Sequence, residues 1–148
     1  MIKKLAGAAS IISILIATMY TTDSVGKTVT VNGLTITTGN VYTIDDLRNG
    51  KSDSDALRAI VNEQDVLLDF HAPWCGPCRQ MAAPFEQLAR ECEQFLFIKI
   101  NVDEHEAIAN QYGVRGLPTF IAIRNRTNAK RVSGSMSKER LKRETGVY

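Results

Sequence analysis

In the stretch DFHAPWCGPCRQM, Cys75 and Cys78 are separated by two residues. A Cys-x-x-Cys pair serves three chemistries: a two-electron dithiol–disulfide couple, half of a metal clip, or a small structural cross-link. Zinc needs four ligands, and the candidates outside the pair are His71, His105 and Cys92. None of these forms a second paired motif at finger spacing. A cross-link over so small a loop constrains the unfolded chain little. The redox reading is left as the one the spacing favours, with no metal and no cofactor expected.

The neighbouring elements decide how such a pair behaves. Val66 to Phe70 (VLLDF) is a short apolar run bounded by Gln64-Asp65 and Ala72-Pro73, the pattern of a buried strand. A helical stretch follows from about Arg79 to Glu93. The cysteines therefore fall where a strand ends and a helix begins. Unpaired N–H groups and the positive end of the helix dipole favour a thiolate there. Cys75, at the exposed start, is the expected attacker, and Cys78, one turn further in, the resolver. Pro77 suits the first turn because it has no N–H to leave unpaired.

Further along, Phe95 to Asp103 reads as a strand, EHEAIANQYG as a helix closed by Gly113, and Thr119 to Arg124 as a strand. AKRVSG reads as an edge strand, and SKERLKRET as a short last helix begun by Ser137. Upstream, Asp53 or Ser54 is a candidate cap for a helix whose apolar face is Ala56, Leu57, Ile60 and Val61. Strands alternating with helices predict an α/β sandwich around one sheet. Before it, Thr28 to Val31 and Leu34 to Thr37 flank Asn32-Gly33, the signature of a type I′ β-hairpin. That hairpin carries no His, Cys or acid and reads as a structural extension or spacer.

The N-terminus bears on location. Two lysines precede sixteen uncharged residues, Leu5 to Tyr20, a positive n-region followed by an apolar h-region. A small-x-small cleavage site is not evident, and the run falls just short of the ~18 residues of a good span. Residues 1–24 are expected to be a signal peptide or a short membrane anchor, with 25–41 the hairpin extension and 42–148 the main domain.

The sequence VLLDFHAPWCGPCRQM resembles the active-site stretch of thioredoxins, and IKINVDE, YGVRGLPTF and SGSMSKERL resemble later signatures of that family in order. The similarity runs from Tyr42 to about Arg143. It implies a thioredoxin fold, with a central mixed sheet flanked by helices on both faces. It also implies that Asp69 is a buried acid beneath the pair, taking the proton of Cys78, with Lys99 as its charged partner. Trp74, Gly76, Pro77, Leu117 and Pro118 are then the substrate-binding surface, with Pro118 in the cis form facing the cysteines. The chain departs from the family in three places. His71 stands where an aromatic is usual. Pro84 comes six residues after Cys78 rather than five. The last helix is short, which suggests modest stability.

The resemblance further implies a thiol–disulfide oxidoreductase acting on protein disulfides. Cys-Gly-Pro-Cys is similar to the reducing members, which points to a reductase or isomerase supplied by a membrane electron donor. A disulfide-forming oxidant and a non-catalytic chaperone or assembly module are the alternatives. The export signal places the domain in the periplasm or cell envelope, a monomer touching the membrane only through residues 1–24. A net charge of +2 with 44% hydrophobic and 23% charged residues suits a globular domain and speaks against nucleic acid. The third cysteine, Cys92, reads as a small buried hydrophobe near a helix end.

Overall fold

The computed structural model describes residues 26–148, apart from the side chain of Asn128. The expected signal or anchor lies outside these residues. Among the described residues no helix is long and apolar enough to cross a membrane.

The chain begins with an antiparallel hairpin, β1 (Thr28–Val31) and β2 (Leu34–Thr37), turning at Asn32 and Gly33, both at positive φ. The hairpin is docked. Val29 and Val31 are buried in the main core, and Asn32 ties the turn to the body. Its N–H donates to Glu63 at 2.8 Å, and its side-chain amide donates to the carbonyls of Leu47 and Arg48 at 2.9 Å each. At the open end, a Cβ on Gly26 would stand 1.6 Å from the Thr38 carbonyl oxygen, so only glycine fits there.

The central sheet has strand order β3-β5-β4-β6-β7. Its strands are β3 (Val41–Thr43), β4 (Val66–His71), β5 (Leu96–Asn101), β6 (Thr119–Arg124) and β7 (Asn128–Ser133). β5 pairs parallel with β3 and β4, whereas β6 pairs antiparallel with β4 and β7. Val41 already pairs with Phe97, so the sheet begins one residue before the expected boundary at Tyr42. Neither β3 nor the one-turn helix α1 (Ile44–Leu47) behind it is marked in the sequence; each is too short to show a period.

Alternation along the strands sorts the core into two faces. Val66, Leu68 and Phe70 of β4 join Ile98 and Ile100 of β5 against α1, α2 (Asp53–Glu63) and α4 (Glu106–Gln111). Leu67, Phe97, Phe120 and Ala122 point the other way, onto α3 (Gly76–Glu91) and α5 (Lys138–Thr145). Phe85 of α3 is fully buried there, its ring 5.1 Å from Phe97 and 5.9 Å from Phe120. Truncating such a residue to alanine costs about 3–5 kcal/mol.

The caps explain where the helices start. The hydroxyl of Ser52 accepts the N–H of Asp55, so the cap of α2 is Ser52 rather than Asp53 or Ser54. Ser137 caps α5 as its position predicts, and Gly146 closes it in the left-handed conformation. Pro84 lies inside α3 without interrupting it. Buried Cys78, Met81, Phe85 and Leu88 keep one continuous stripe across the proline.

Candidate active site

β4 delivers the chain to the cysteines. The carbonyl of Ala72 accepts the N–H of Cys75 at 3.1 Å, closing the turn, and Arg79 holds it by donating to the Pro73 carbonyl at 3.0 Å. Cys75 is the N-cap of α3, and Pro77 lies in the first turn. The Cys75 Sγ accepts the N–H of Cys78 at 3.2 Å, a donor left free by the helix start. The two cysteines are joined as a disulfide with their Cα atoms 5.3 Å apart. Cys75 is 4% and Cys78 6% exposed, so Cys75 is not the exposed start that the sequence suggests; of the two, Cys75 borders an open edge.

That edge opens on a groove of ≈ 450 Å³. Trp74, Gly76, Pro77, Val102, Val114 and Leu117 are among the residues that line it. Trp74 is 68% exposed and held in place, its Nε1–H donating to Asp103 at 3.0 Å. The Leu117–Pro118 peptide is cis. Leu117 packs against the cysteines, while Pro118 is buried and its carbonyl accepts the Gly134 N–H at 2.9 Å. Val102, Asp103 and Val114 belong to this surface in addition to the residues the sequence points to. The available signal is an acid directly following an apolar strand. A larger depression of ≈ 560 Å³ between the hairpin and α3 is lined by Thr37, Thr38, Asn40, Glu86 and Arg90, with no cysteine or histidine among them.

Asp69 lies in the middle of β4, on the face covered by α3, the helix that carries Cys78. It is 2% exposed, and its Oδ1 has no hydrogen-bond partner among the described residues. Burial raises its pKa from 3.8 to about 7, against the opposing pull of Lys99. Lys99 is half-buried at the register position beside Asp69 on β5. An acid that exchanges its proton near neutral pH suits general acid–base work on a thiol. His71, two residues on and on the same face, is half-buried; burial, then Lys99, holds its pKa below the ordinary 6.5, with Glu104 opposing. Cys92 caps the far end of α3, is 1% exposed, and has its thiol pKa pushed up by burial. It is a packed side chain and a poor nucleophile.

Comparison with known proteins agrees with this geometry. The sequence model of the Thioredoxin family matches residues 50–145. Thioredoxin of Haemophilus influenzae is 38% identical over 92 residues, covering 61% of this chain and 86% of that protein. Thioredoxin of Porphyra purpurea is 37% identical over 90 residues, covering 60% and 84%. Among solved structures, a Schistosoma mansoni thioredoxin pre-protein superposes with a TM-score of 0.60 at 30% identity, covering 72% of this chain and 96% of that one. A mutant thioredoxin from Halobacterium salinarum gives 0.60 at 28%, covering 74% and 95%. A dithiol–disulfide couple capping a helix, on a mixed five-stranded sheet matched by these proteins, makes this chain a thiol–disulfide oxidoreductase that belongs to the thioredoxin family.

Proposed function

We propose that the chain reduces or isomerises protein disulfides outside the cytosol, in the periplasm or cell envelope. The observation that carries the chemistry is the pairing of a helix-capping Cys75–Cys78 couple with a buried acid, Asp69, poised near neutrality. In the reduced form, the Cys75 thiolate, favoured by the Cys78 N–H and the helix terminus, attacks one sulfur of a substrate disulfide lying in the groove. A Cys75–substrate disulfide forms, and the other substrate sulfur leaves as a thiolate. Asp69 takes the proton of Cys78, whose thiolate attacks Cys75 Sγ and expels the second substrate sulfur. Two electrons have passed to the substrate, and the pair is left as the disulfide.

The Gly76-Pro77 dipeptide supports the reducing direction, because it resembles that of reducing relatives. The charged-then-apolar start of residues 1–24 supports export, by cleaved signal or retained anchor. A membrane thiol–disulfide partner would then return electrons to the monomeric domain.

Turbidimetric reduction of insulin with dithiothreitol tests the activity. The parent should accelerate it and Cys75→Ser should not; equal performance would sink the catalytic reading and favour a chaperone-like module. Equilibration against glutathione tests direction. A potential of about −270 mV fits a reductant, and one of about −120 mV would make the chain an oxidant. Intact mass of the envelope-extracted protein shows whether residues 1–24 are retained, and recovery from the cytosolic fraction alone would overturn the location.

A further inference from the structure

Away from the cysteines, three short elements meet at a buried histidine. His105, at the start of α4, is 7% exposed. Its Nδ1 hydrogen-bonds Asp53 of α2 at 2.8 Å. Its Nε2 makes no hydrogen bond among the described residues, yet it stands 3.3 Å from Asp45 Oδ2 of α1. Ligand atoms of Asp45, Glu104 and His105 all lie within 4.8 Å of one another.

We propose that Asp45, Glu104 and His105 Nε2 bind one divalent cation of the zinc class, with Asp53 as the residue that positions the imidazole. A carboxylate on Nδ1 fixes the tautomer that leaves the Nε2 lone pair free, the usual arrangement behind a histidine ligand. Around tetrahedral zinc, with bonds of about 2.0–2.1 Å, ligand atoms stand about 3.3–3.4 Å apart. The His105–Asp45 separation already has that length. Glu104 is exposed and closes the remaining gap by a change of rotamer, and water completes the shell.

The charge balance favours a cation. Asp45, Asp53 and Glu104 bring three carboxylates to the cluster, against the one guanidinium of Arg48, which is 3.4 Å from Asp45 and 3.5 Å from Asp53. Imidazole with carboxylates is a donor set that suits zinc better than calcium or magnesium. The site is separate from the redox pair, although Glu104 adjoins Asp103, the acceptor for Trp74.

The rival arrangement is a protonated His105 bridging two aspartates with no affinity for metal. Titrating the oxidised full-length chain with zinc chloride against a chromogenic chelator separates the two, because the sulfurs of Cys75 and Cys78 are then out of play. The expected result is one zinc per chain, lost in His105→Gln and weakened at least about tenfold in Asp45→Asn and in Glu104→Gln. The last of these changes an exposed side chain and leaves folding intact. Zinc should also raise the thermal midpoint of the parent but not of His105→Gln, and His71→Ala should keep full stoichiometry. No uptake by the parent, or uptake unchanged in Glu104→Gln and Asp45→Asn, overturns the site. An unchanged affinity in Asp53→Asn overturns the positioning role of that residue.

Discussion

Asp69 and Lys99 occupy the same register position on neighbouring parallel strands, yet burial outweighs the lysine and the carboxyl titrates at about 7. The lysine lowers this value and fails to restore the ordinary one. Asp69 is thereby a proton exchanger rather than a permanently charged partner.

The first consequence is kinetic. Resolution of a mixed disulfide at Cys75 should accelerate as pH rises through about 7, because the Asp69 carboxylate is the competent form. Asp69→Asn should remove that inflection and slow resolution by about 10²-fold. Stopped-flow release of a fluorescent thiol, followed from mildly acidic to mildly basic pH, checks it. An inflection surviving in the variant would assign it to another group.

The second consequence concerns stability. The folded chain holds the Asp69 proton up to about 7, whereas the unfolded chain releases it near 3.8. The resulting stabilisation is complete below the unfolded value and is lost as pH rises toward 7. The loss is on the order of 4 kcal/mol. Asp69→Asn should exceed the parent in stability above about pH 7, with the difference closing below the unfolded value, as read from urea midpoints.

Trp74 offers most of its ring to solvent while its indole N–H is fixed on Asp103. A rigid, exposed aromatic beside Cys75 suits contact with a large substrate. Trp74→Ala should raise KM for insulin about tenfold, which is ~1.4 kcal/mol of binding. Turnover of a small aromatic disulfide should hardly change, and equal losses on both substrates would reassign Trp74 to tuning the thiolate.

Asn32 is the joint between the hairpin and the body, 4% exposed and at a φ of 52°. Asn32→Ala leaves the carbonyls of Leu47 and Arg48 without their donor and puts a less tolerant residue at positive φ. A loss of about 2 kcal/mol in urea unfolding is expected, with insulin reduction at room temperature unchanged. A loss below a few tenths would mean that the side-chain hydrogen bonds of Asn32 contribute little to docking the hairpin.

Much of this architecture is readable from local pattern. The strand before the cysteines, the helix after them, the Asn-Gly hairpin and the Ser137 cap each follow from a handful of adjacent residues. What is not readable depends on distance along the chain. Trp74 meets Asp103 twenty-nine positions away, and His105 meets Asp53 fifty-two away, so neither pairing leaves a local trace. Ser52 outcompetes Asp53 and Ser54 as a cap because three capping residues in a row fix a helix start only to within a turn. β3 owes its strand conformation to the neighbouring β5, not to its own three residues.

The Sγ of Cys75 is also the acceptor for a backbone amide in the first turn of its own helix, that of Cys78. Each two-electron turnover alters the charge on that acceptor, from thiolate to neutral disulfide sulfur. The Cys78 amide is therefore a built-in gauge of oxidation state: a single cross-peak in a proton–nitrogen spectrum, moving with the potential, would read the protein's redox poise without any added dye.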